Sequence, residues 1–155
     1  MYRHYAPNYQ PLSGDGARLN GGRWNPRNSF GVVYTAFDLP TLDREFERSV
    51  AMSRMARPLP RTLATITVRL RRVLDLTDER VRDALGVETV DLVGDDVSTP
   101  QAIGEAAHHL GLEGIVAPSA TGEGTVLALF VGRRSAESEI EVVETAPYRP
   151  SAKES

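Results

Sequence analysis

Residues 21–37 read GGRWNPRNSFGVVYTAF and join a loop-forming segment to an apolar one. The apolar part, residues 30–37, is dense in β-branched and aromatic side chains, which favour a buried strand. The preceding residues 11–28 are rich in Gly, Asn, Pro and Arg, a composition typical of an ordered loop with several positive φ angles. We therefore expect a strand entered from a structured loop, the kind of loop that often carries functional side chains.

The segment after this strand has helical periodicity. Pro40 suits the first turn of a helix, apolar residues recur at helical spacing from Leu42 to Met55, and Pro58 marks the end. Residues 63–70 then alternate between apolar and polar side chains, which predicts a strand.

The second half of the chain shows a further set of short elements. Residues 77–85, followed by Gly86, are typical of a capped helix, and residues 98–110 have a capping-box spacing and stop at Gly111. Three apolar runs, at residues 114–117, 125–131 and 140–143, predict strands. Because helices and strands do not alternate regularly, we expect an α+β fold with a split mixed β-sheet and flanking helices rather than a doubly wound sheet. The strand order stays open.

Composition limits the class of protein. The chain has 155 residues, 41% of them hydrophobic and 25% charged, which fits one soluble domain. A formal net charge of −3 provides no basic field for nucleic acid, so we expect no direct nucleic-acid binding. No apolar run approaches the ~20 residues of a membrane span, and the first ten residues lack a signal-peptide apolar region, which predicts a cytoplasmic protein that does not bind membranes.

Metal and thiol chemistry are both disfavoured. The chain contains no cysteine, which excludes disulfides, thiolate metal ligands and cysteine nucleophiles. Its histidines, His4, His108 and His109, do not have a metal-ligand spacing, because neighbours in sequence do not share a helix face. We therefore expect no metal.

Arg23 is the first candidate functional residue. It lies between two glycines and Trp24, so its direction is restricted and a ligand has room to approach. Its planar guanidinium suits a diphosphate or a ribose better than a lysine would. The alternative is an arginine that only binds backbone carbonyls of its own loop, and local sequence does not separate the two.

A family resemblance becomes visible when four ordered segments are taken together. Arg23 within GGRWNP is followed by VVYTA at residues 32–36, by Glu45 in the predicted helix, and by APS, which ends at Ser119 before the strand TVLALF. This order resembles the RES domain family, which is named for its Arg, Glu and Ser. The opening Tyr2-Arg3 also resembles the family's early arginine, and the resemblance covers residues 2–131. Asn28 stands where the family often has glycine, and asparagine also accepts a left-handed conformation.

The resemblance implies a fold similar to ADP-ribosyltransferases, NAD as the substrate, and a toxin that forms a hetero-oligomer with an Xre-type antitoxin. It implies that Arg3 and Arg23 contact NAD, that Tyr34 lines the nicotinamide side, and that Glu45 and Ser119 complete the catalytic site with Arg23. Inorganic phosphate is a candidate co-substrate. We assign the RES domain to residues 1–145 and a polar tail to residues 146–155.

The chemistry of nicotinamide cleavage calls for these residue types. The bond between ribose and cationic nicotinamide breaks toward an oxocarbenium ion, which a fixed carboxylate stabilises. Glu45 is our choice for that carboxylate; Glu47, roughly 200° away around the helix, is the alternative. Ser119 is expected to hydrogen-bond the substrate, because no histidine is placed by the sequence to activate it as a nucleophile.

An ordinary structural role remains an alternative for each residue: a turn serine for Ser119, a core aromatic residue for Tyr34 and a solvated helix residue for Glu45. Three hypotheses for the function of the protein stay open. The protein depletes NAD as a glycohydrolase or phosphorylase, transfers ADP-ribose to a cellular protein as a mono-ADP-ribosyltransferase, or is a non-catalytic partner-binding module.

Overall fold

The structure is a computed structural model that describes residues 1–53 and 60–151. Within these ranges the chain forms seven β-strands and five α-helices. In chain order they are β1 (Tyr2–Tyr5), α1 (Asp15–Asn20), β2 (Val33–Ala36), α2 (Leu39–Ser53), β3 (Thr62–Arg69), β4 (Val73–Asp75), α3 (Glu79–Leu85), α4 (Thr89–Val93), α5 (Ser98–His109), β5 (Gly114–Pro118), β6 (Thr125–Leu129) and β7 (Glu139–Pro147).

The strands form one mixed sheet in the order β4-β5-β6-β2-β1-β3-β7. Only β4 and β5 pair in parallel; the other neighbours are antiparallel. The two central strands, β1 and β2, share a single register pair, Tyr2 with Ala36. The sheet is therefore nearly divided into a β4-β5-β6-β2 half and a β1-β3-β7 half. The predicted single α+β domain with a mixed sheet and flanking helices is confirmed.

The predicted loop at residues 11–28 contains a short helix, α1, that composition did not indicate. The strand after it is shorter than predicted, because β2 begins only at Val33. The first register pair of β2 is Val33 with Leu129, the last residue of β6, and the backbone at Gly31 instead packs closely against Gly14. Asn28 has a φ of 54°, so the expected left-handed conformation at this position is confirmed.

The predicted helices are present, with different caps. Helix α3 starts at Glu79, where the carboxylate of Asp78 accepts the backbone N–H of Arg80, and it ends at Gly86 with a φ of 70°. Helix α5 starts at Ser98 as predicted, but its first N–H is accepted by the Asp96 carboxylate rather than within a capping box. Helix α2 covers residues 39–53, and the predicted end near Met55 and Pro58 lies outside the described residues.

The largest core lies between the sheet and α4 and α5, with Trp24 and Phe130 as its largest fully buried side chains. Truncating an aromatic residue of this kind to alanine costs about 3–5 kcal/mol. Because Trp24 is anchored in this core, the adjacent Arg23 has a defined position. No helix within the described ranges is long and apolar enough to span a membrane.

The end of the chain is part of this architecture. Residues 146 and 147, which composition assigns to the tail, belong to β7, and the buried Tyr148 donates a hydrogen bond of 2.6 Å to Asp43 on α2. Residues 152–155 lie outside the described residues.

Candidate active site

Glu45 and Ser119 are in direct contact. The Ser119 hydroxyl donates a hydrogen bond of 2.5 Å to Glu45 Oε1, and the backbone N–H of Ala120 donates to the same oxygen at 3.2 Å. Ser119 is fully buried. The carboxylate is thus held in one direction by two donors.

The loop that carries Ser119 joins β5 to β6 and is closed by its own backbone. The Ser119 N–H donates to the Gly124 carbonyl at 2.9 Å, and the hydroxyl of Thr121 lies 2.8 Å from the Ser119 hydroxyl. Gly124 has a φ of 87°, and a Cβ there would lie 1.9 Å from Thr41 Oγ1. Only glycine allows α2 to approach the loop this closely.

One face of α2 carries the polar residues Thr41, Arg44, Glu45 and Arg48, spaced i, i+3, i+4 and i+7. Each of them reaches another segment of the chain. Thr41 lies against Gly124, Arg44 Nη2 donates to the Glu123 carbonyl at 3.3 Å, and Arg48 Nη2 donates to Asp95 at 2.7 Å. This face therefore organises the site.

Arg23 reaches the end of α4 from the loop before β2. Its Nη1 donates to the carbonyls of Leu92 at 3.1 Å and Gly94 at 2.7 Å, at the end of α4. Its Nε and Nη2 make no hydrogen bond to any residue in the described ranges, so they remain available to a ligand. The alternative of an arginine bound to carbonyls of its own loop is not what the structure contains, because both acceptors are about seventy residues away.

The pKa of Arg23 depends on the charges around it, including that of Glu45. Burial lowers the pKa of the Arg23 guanidinium from its ordinary value, and the positive charge of Arg48 lowers it further. The negative charges of Glu45 and Asp95 act in the opposite direction. Glu45 and Ser119 are therefore in direct contact, and Arg23 lies within electrostatic range of Glu45.

Tyr34 supports the loop of Arg23. Its hydroxyl accepts the Trp24 N–H at 2.9 Å and donates to Asn25 Oδ1 at 2.7 Å. Burial raises the pKa of Tyr34, so the hydroxyl stays protonated at neutral pH. A Cβ on Gly22 would lie 2.5 Å from the Tyr34 hydroxyl, which explains the glycine beside Arg23. Both hydrogen bonds of the hydroxyl thus go to the Arg23 loop, and the half-buried ring packs against the main hydrophobic core.

Arg3 is engaged elsewhere. Its guanidinium donates to the carbonyls of Pro11 at 2.6 Å and Ser13 at 2.8 Å. Burial, and secondarily the charge of Arg61, lower its pKa to about 10. Within the described ranges its contacts do not include Arg23, Glu45 or Ser119, so Arg3 shapes a neighbouring loop in this structure.

Sequence reasoning missed Arg48 and Asp95. Arg48 had a detectable signal, because it is three residues from Glu45 and shares its helix face. Asp95 had no such signal, since its contact depends on where the loop after α4 lies relative to α2. Glu47 lies on another face of α2 and acts electrostatically on Tyr148.

Two other features lie outside this site. An open depression of about 390 Å³ is lined by Pro7 and by residues 60–62 and 145–147, none of which is a predicted site residue. Among the described residues, no group of three or more histidine, aspartate or glutamate side chains is arranged to hold a metal ion.

Comparison with known proteins gives three results. The RES domain model matches residues 1–151. The NAD(+) phosphorylase MbcT of Mycobacterium tuberculosis is 40% identical over 136 residues, covering 85% of this chain and 73% of that protein. The probable NAD(+) phosphorylase Rv3189 of the same organism is 34% identical over 137 residues, covering 84% of this chain and 64% of that protein.

The fold agrees with these relatives. The crystal structure of the M. tuberculosis MbcT–MbcA toxin–antitoxin complex contains a chain that superposes with a TM-score of 0.86 at 33% identity, covering 96% of this chain and 83% of that one. Taken with the match over nearly the whole length, this shows that the chain belongs to the RES domain family.

Proposed function

We propose that this protein is a cytoplasmic bacterial toxin that depletes NAD by cleaving the bond between nicotinamide and ribose, with inorganic phosphate as the acceptor. The observation that carries the proposal is the Glu45 carboxylate, which is fixed by Ser119 and Ala120 and lies within electrostatic range of Arg23. The 40% identity to a protein named NAD(+) phosphorylase supports phosphate as the acceptor.

In the proposed reaction the C–N bond breaks and its electron pair goes to the nicotinamide nitrogen, which leaves neutral. The ribose carbon becomes cation-like, and the Glu45 carboxylate stabilises that charge. A phosphate oxygen then forms the new bond, giving ADP-ribose 1″-phosphate. Arg23 binds the diphosphate through Nε and Nη2, so the ribose is held in position.

The other predicted residues have supporting roles in this proposal. Ser119 orients Glu45, and its hydroxyl is close enough to the carboxylate to contact the same substrate. The Tyr34 ring lines the nicotinamide side, while its hydroxyl holds the Arg23 loop. Arg3 contacts NAD through the guanidinium donors that the carbonyls of Pro11 and Ser13 do not use, or after leaving these carbonyls.

The protein is proposed to form a hetero-oligomer with an antitoxin of the Xre type. The related MbcT chain was crystallised as a toxin–antitoxin complex, which supports such a partner. An antitoxin that covers the cleft between Arg23 and Glu45 would inhibit by excluding NAD.

The proposal is tested with purified, antitoxin-free protein incubated with NAD, with and without inorganic phosphate. We expect nicotinamide release that depends on phosphate, and ADP-ribose 1″-phosphate as the second product. Arg23→Ala should abolish release while circular dichroism remains native, and the matched control Arg80→Ala, an exposed arginine paired with Asp78 on α3, should retain it. Absence of turnover with and without phosphate would contradict the proposal.

Other acceptors give other products. Free ADP-ribose as the product indicates a glycohydrolase. Labelled NAD incubated with a cell lysate would give a discrete labelled protein band if the enzyme is a mono-ADP-ribosyltransferase. Unchanged growth and an unchanged NAD pool after expression would indicate a non-catalytic binding module.

A further inference from the structure

Two arginines of the site are held by consecutive residues of one loop. The Gly94 carbonyl accepts from Arg23 Nη1 at 2.7 Å, and the carboxylate of the next residue, Asp95, accepts from Arg48 Nη2 at 2.7 Å. Residues 94–95 therefore bring two guanidinium groups, one from the loop before β2 and one from α2, to the same place.

Arg48 also lies beside the proposed catalytic carboxylate. It is three positions after Glu45, about 60° away around the helix axis at ~100° per residue. Arg48 acts electrostatically on Arg23, as Glu45 does. Arg23 thus lies within electrostatic range of one carboxylate and of a second cation, Arg48, which has no role in the proposed reaction.

Asp95 is a weak partner for Arg48. The aspartate side chain is 88% exposed and the arginine side chain 27% exposed, and a single hydrogen bond joins them. Such an exposed, singly bonded pair contributes little to stability. A phosphate group that accepts from two guanidinium groups forms stronger, charge-assisted hydrogen bonds, so it can displace the aspartate.

The formal charges of the four residues add up to zero in the ligand-free protein. Arg23 and Arg48 together are neutralised by Glu45 and Asp95. If Asp95 turns into solvent, this group keeps the two positive charges of Arg23 and Arg48 against the one negative charge of Glu45, which attracts an anion. In the ligand-free structure the Asp95 carboxylate is the anionic acceptor for Arg48, the role that a phosphate oxygen would take.

We propose that Arg48 and Arg23 form a subsite for a phosphate oxyanion, and that Asp95 occupies this subsite in the ligand-free protein. The inference deepens the proposed function, because the anion is either the acceptor phosphate or the diphosphate of NAD. Both present the same oxygens to the two arginines, and binding measurements separate them.

The test is isothermal titration calorimetry with inorganic phosphate and, separately, with ADP-ribose, on the full chain and three variants. Arg48→Ala should weaken binding at least tenfold, while Asp95→Asn should strengthen it severalfold, because a competing charge is removed. Arg80→Ala is the matched control and should bind as the unaltered protein does. Weaker binding of phosphate to Arg48→Ala identifies the subsite as the position of the acceptor phosphate. Weaker binding of ADP-ribose alone identifies it as the position of the NAD diphosphate.

The two variants should change the binding affinity in opposite directions, weaker for Arg48→Ala and stronger for Asp95→Asn. This difference distinguishes a ligand subsite from a structural ion pair. A pair that only stabilises the fold would make both variants bind more weakly. That result would overturn the inference. Two other results would do the same: Arg48→Ala binds both ligands within twofold of the unaltered protein, or the unaltered protein binds neither ligand. Because these titrations require no turnover, they remain decisive if nicotinamide release is not observed and the proposed function fails.

Discussion

Ser119 and Glu45, 74 positions apart in sequence, are joined by a hydrogen bond of 2.5 Å between the serine hydroxyl and the Glu45 Oε1 atom. The contact exists because the loop after β5 packs against α2, where Gly124 lies close to Thr41. It gives the carboxylate one defined direction, which a glutamate on an exposed helix face would not have.

Glu45→Gln should reduce nicotinamide release roughly 100-fold or more, because the amide keeps the size of the side chain and loses its negative charge. The rate of nicotinamide release at saturating NAD measures it. Glu47→Gln, on another face of α2, is the matched control and should stay close to the unaltered rate. Loss of activity in Glu47→Gln with retention in Glu45→Gln would assign the role to Glu47.

Gly104→Ala should destabilise the protein and disturb the Arg23 loop. A Cβ at this position on α5 would lie 1.7 Å from the Trp24 carbonyl oxygen, so helix and loop must separate. We expect a loss of about 3 kcal/mol in the free energy of unfolding, near the upper end of overpacking effects, which thermal unfolding would measure. Gly16→Ala on α1 meets no atom within 4 Å and should be neutral or slightly stabilising. Equal stability of the two variants would contradict the prediction.

Glu113→Gln should lower the free energy of unfolding, although Glu113 contacts none of the proposed active-site residues. The buried Glu113 carboxylate accepts the N–H groups of Arg71, Arg72 and Ser135 and the hydroxyl of Ser138. Burial alone would raise its pKa, but these hydrogen bonds outweigh burial and lower the pKa to about 2.

An amide at position 113 would turn its NH₂ group toward two of these donors and leave them without an acceptor. We expect a loss of about 2–3 kcal/mol in urea unfolding. The exposed Glu141→Gln on β7 is the control and should change stability by less than about 0.5 kcal/mol. A loss below about 1 kcal/mol for Glu113→Gln would show that the four donors find other partners.

His4 should make stability depend on pH between about 6.5 and 4. Its Nδ1 accepts a hydrogen bond of 3.1 Å from Arg61, and its ring stacks on Tyr148. Burial, followed by the charges of Arg61 and Arg3, lowers its pKa from 6.5 to about 4. Because the unfolded chain takes up the proton first, the stabilising contribution is complete above pH 6.5 and is lost as the pH falls toward 4.

The free energy of unfolding should therefore fall between pH 7 and pH 5 by about 1–2 kcal/mol more in the unaltered protein than in His4→Gln. Urea unfolding at the two pH values measures the difference. The Glu113 contribution is lost only as the pH falls from its ordinary value of 4.5 toward 2, so it does not interfere in this window. Identical pH dependence of the two proteins would contradict the assignment to His4.

Most secondary structure followed from local sequence. Alternating apolar and polar side chains predicted the strand at residues 62–69, and the glycine after its last turn predicted the end of the helix before Gly86. Both predictions succeeded because strand faces and helix caps depend on neighbouring residues. Helix α1 was missed because its glycine and asparagine content is typical of loops, and its formation depends on contacts with residues 29–31.

By itself, the sequence determined the apolar periodicities, the loop chemistry around Arg23 and the ordered set of segments typical of the RES domain family. Only the tertiary structure decided that Arg3 binds carbonyls of its neighbouring loop, that Glu45 meets Ser119, and that Asp95 covers Arg48. The physical reason is distance along the chain. A cap or a strand face is set by residues a few positions apart, whereas the partner of a polar side chain is set by the order in which distant strands and helices pack.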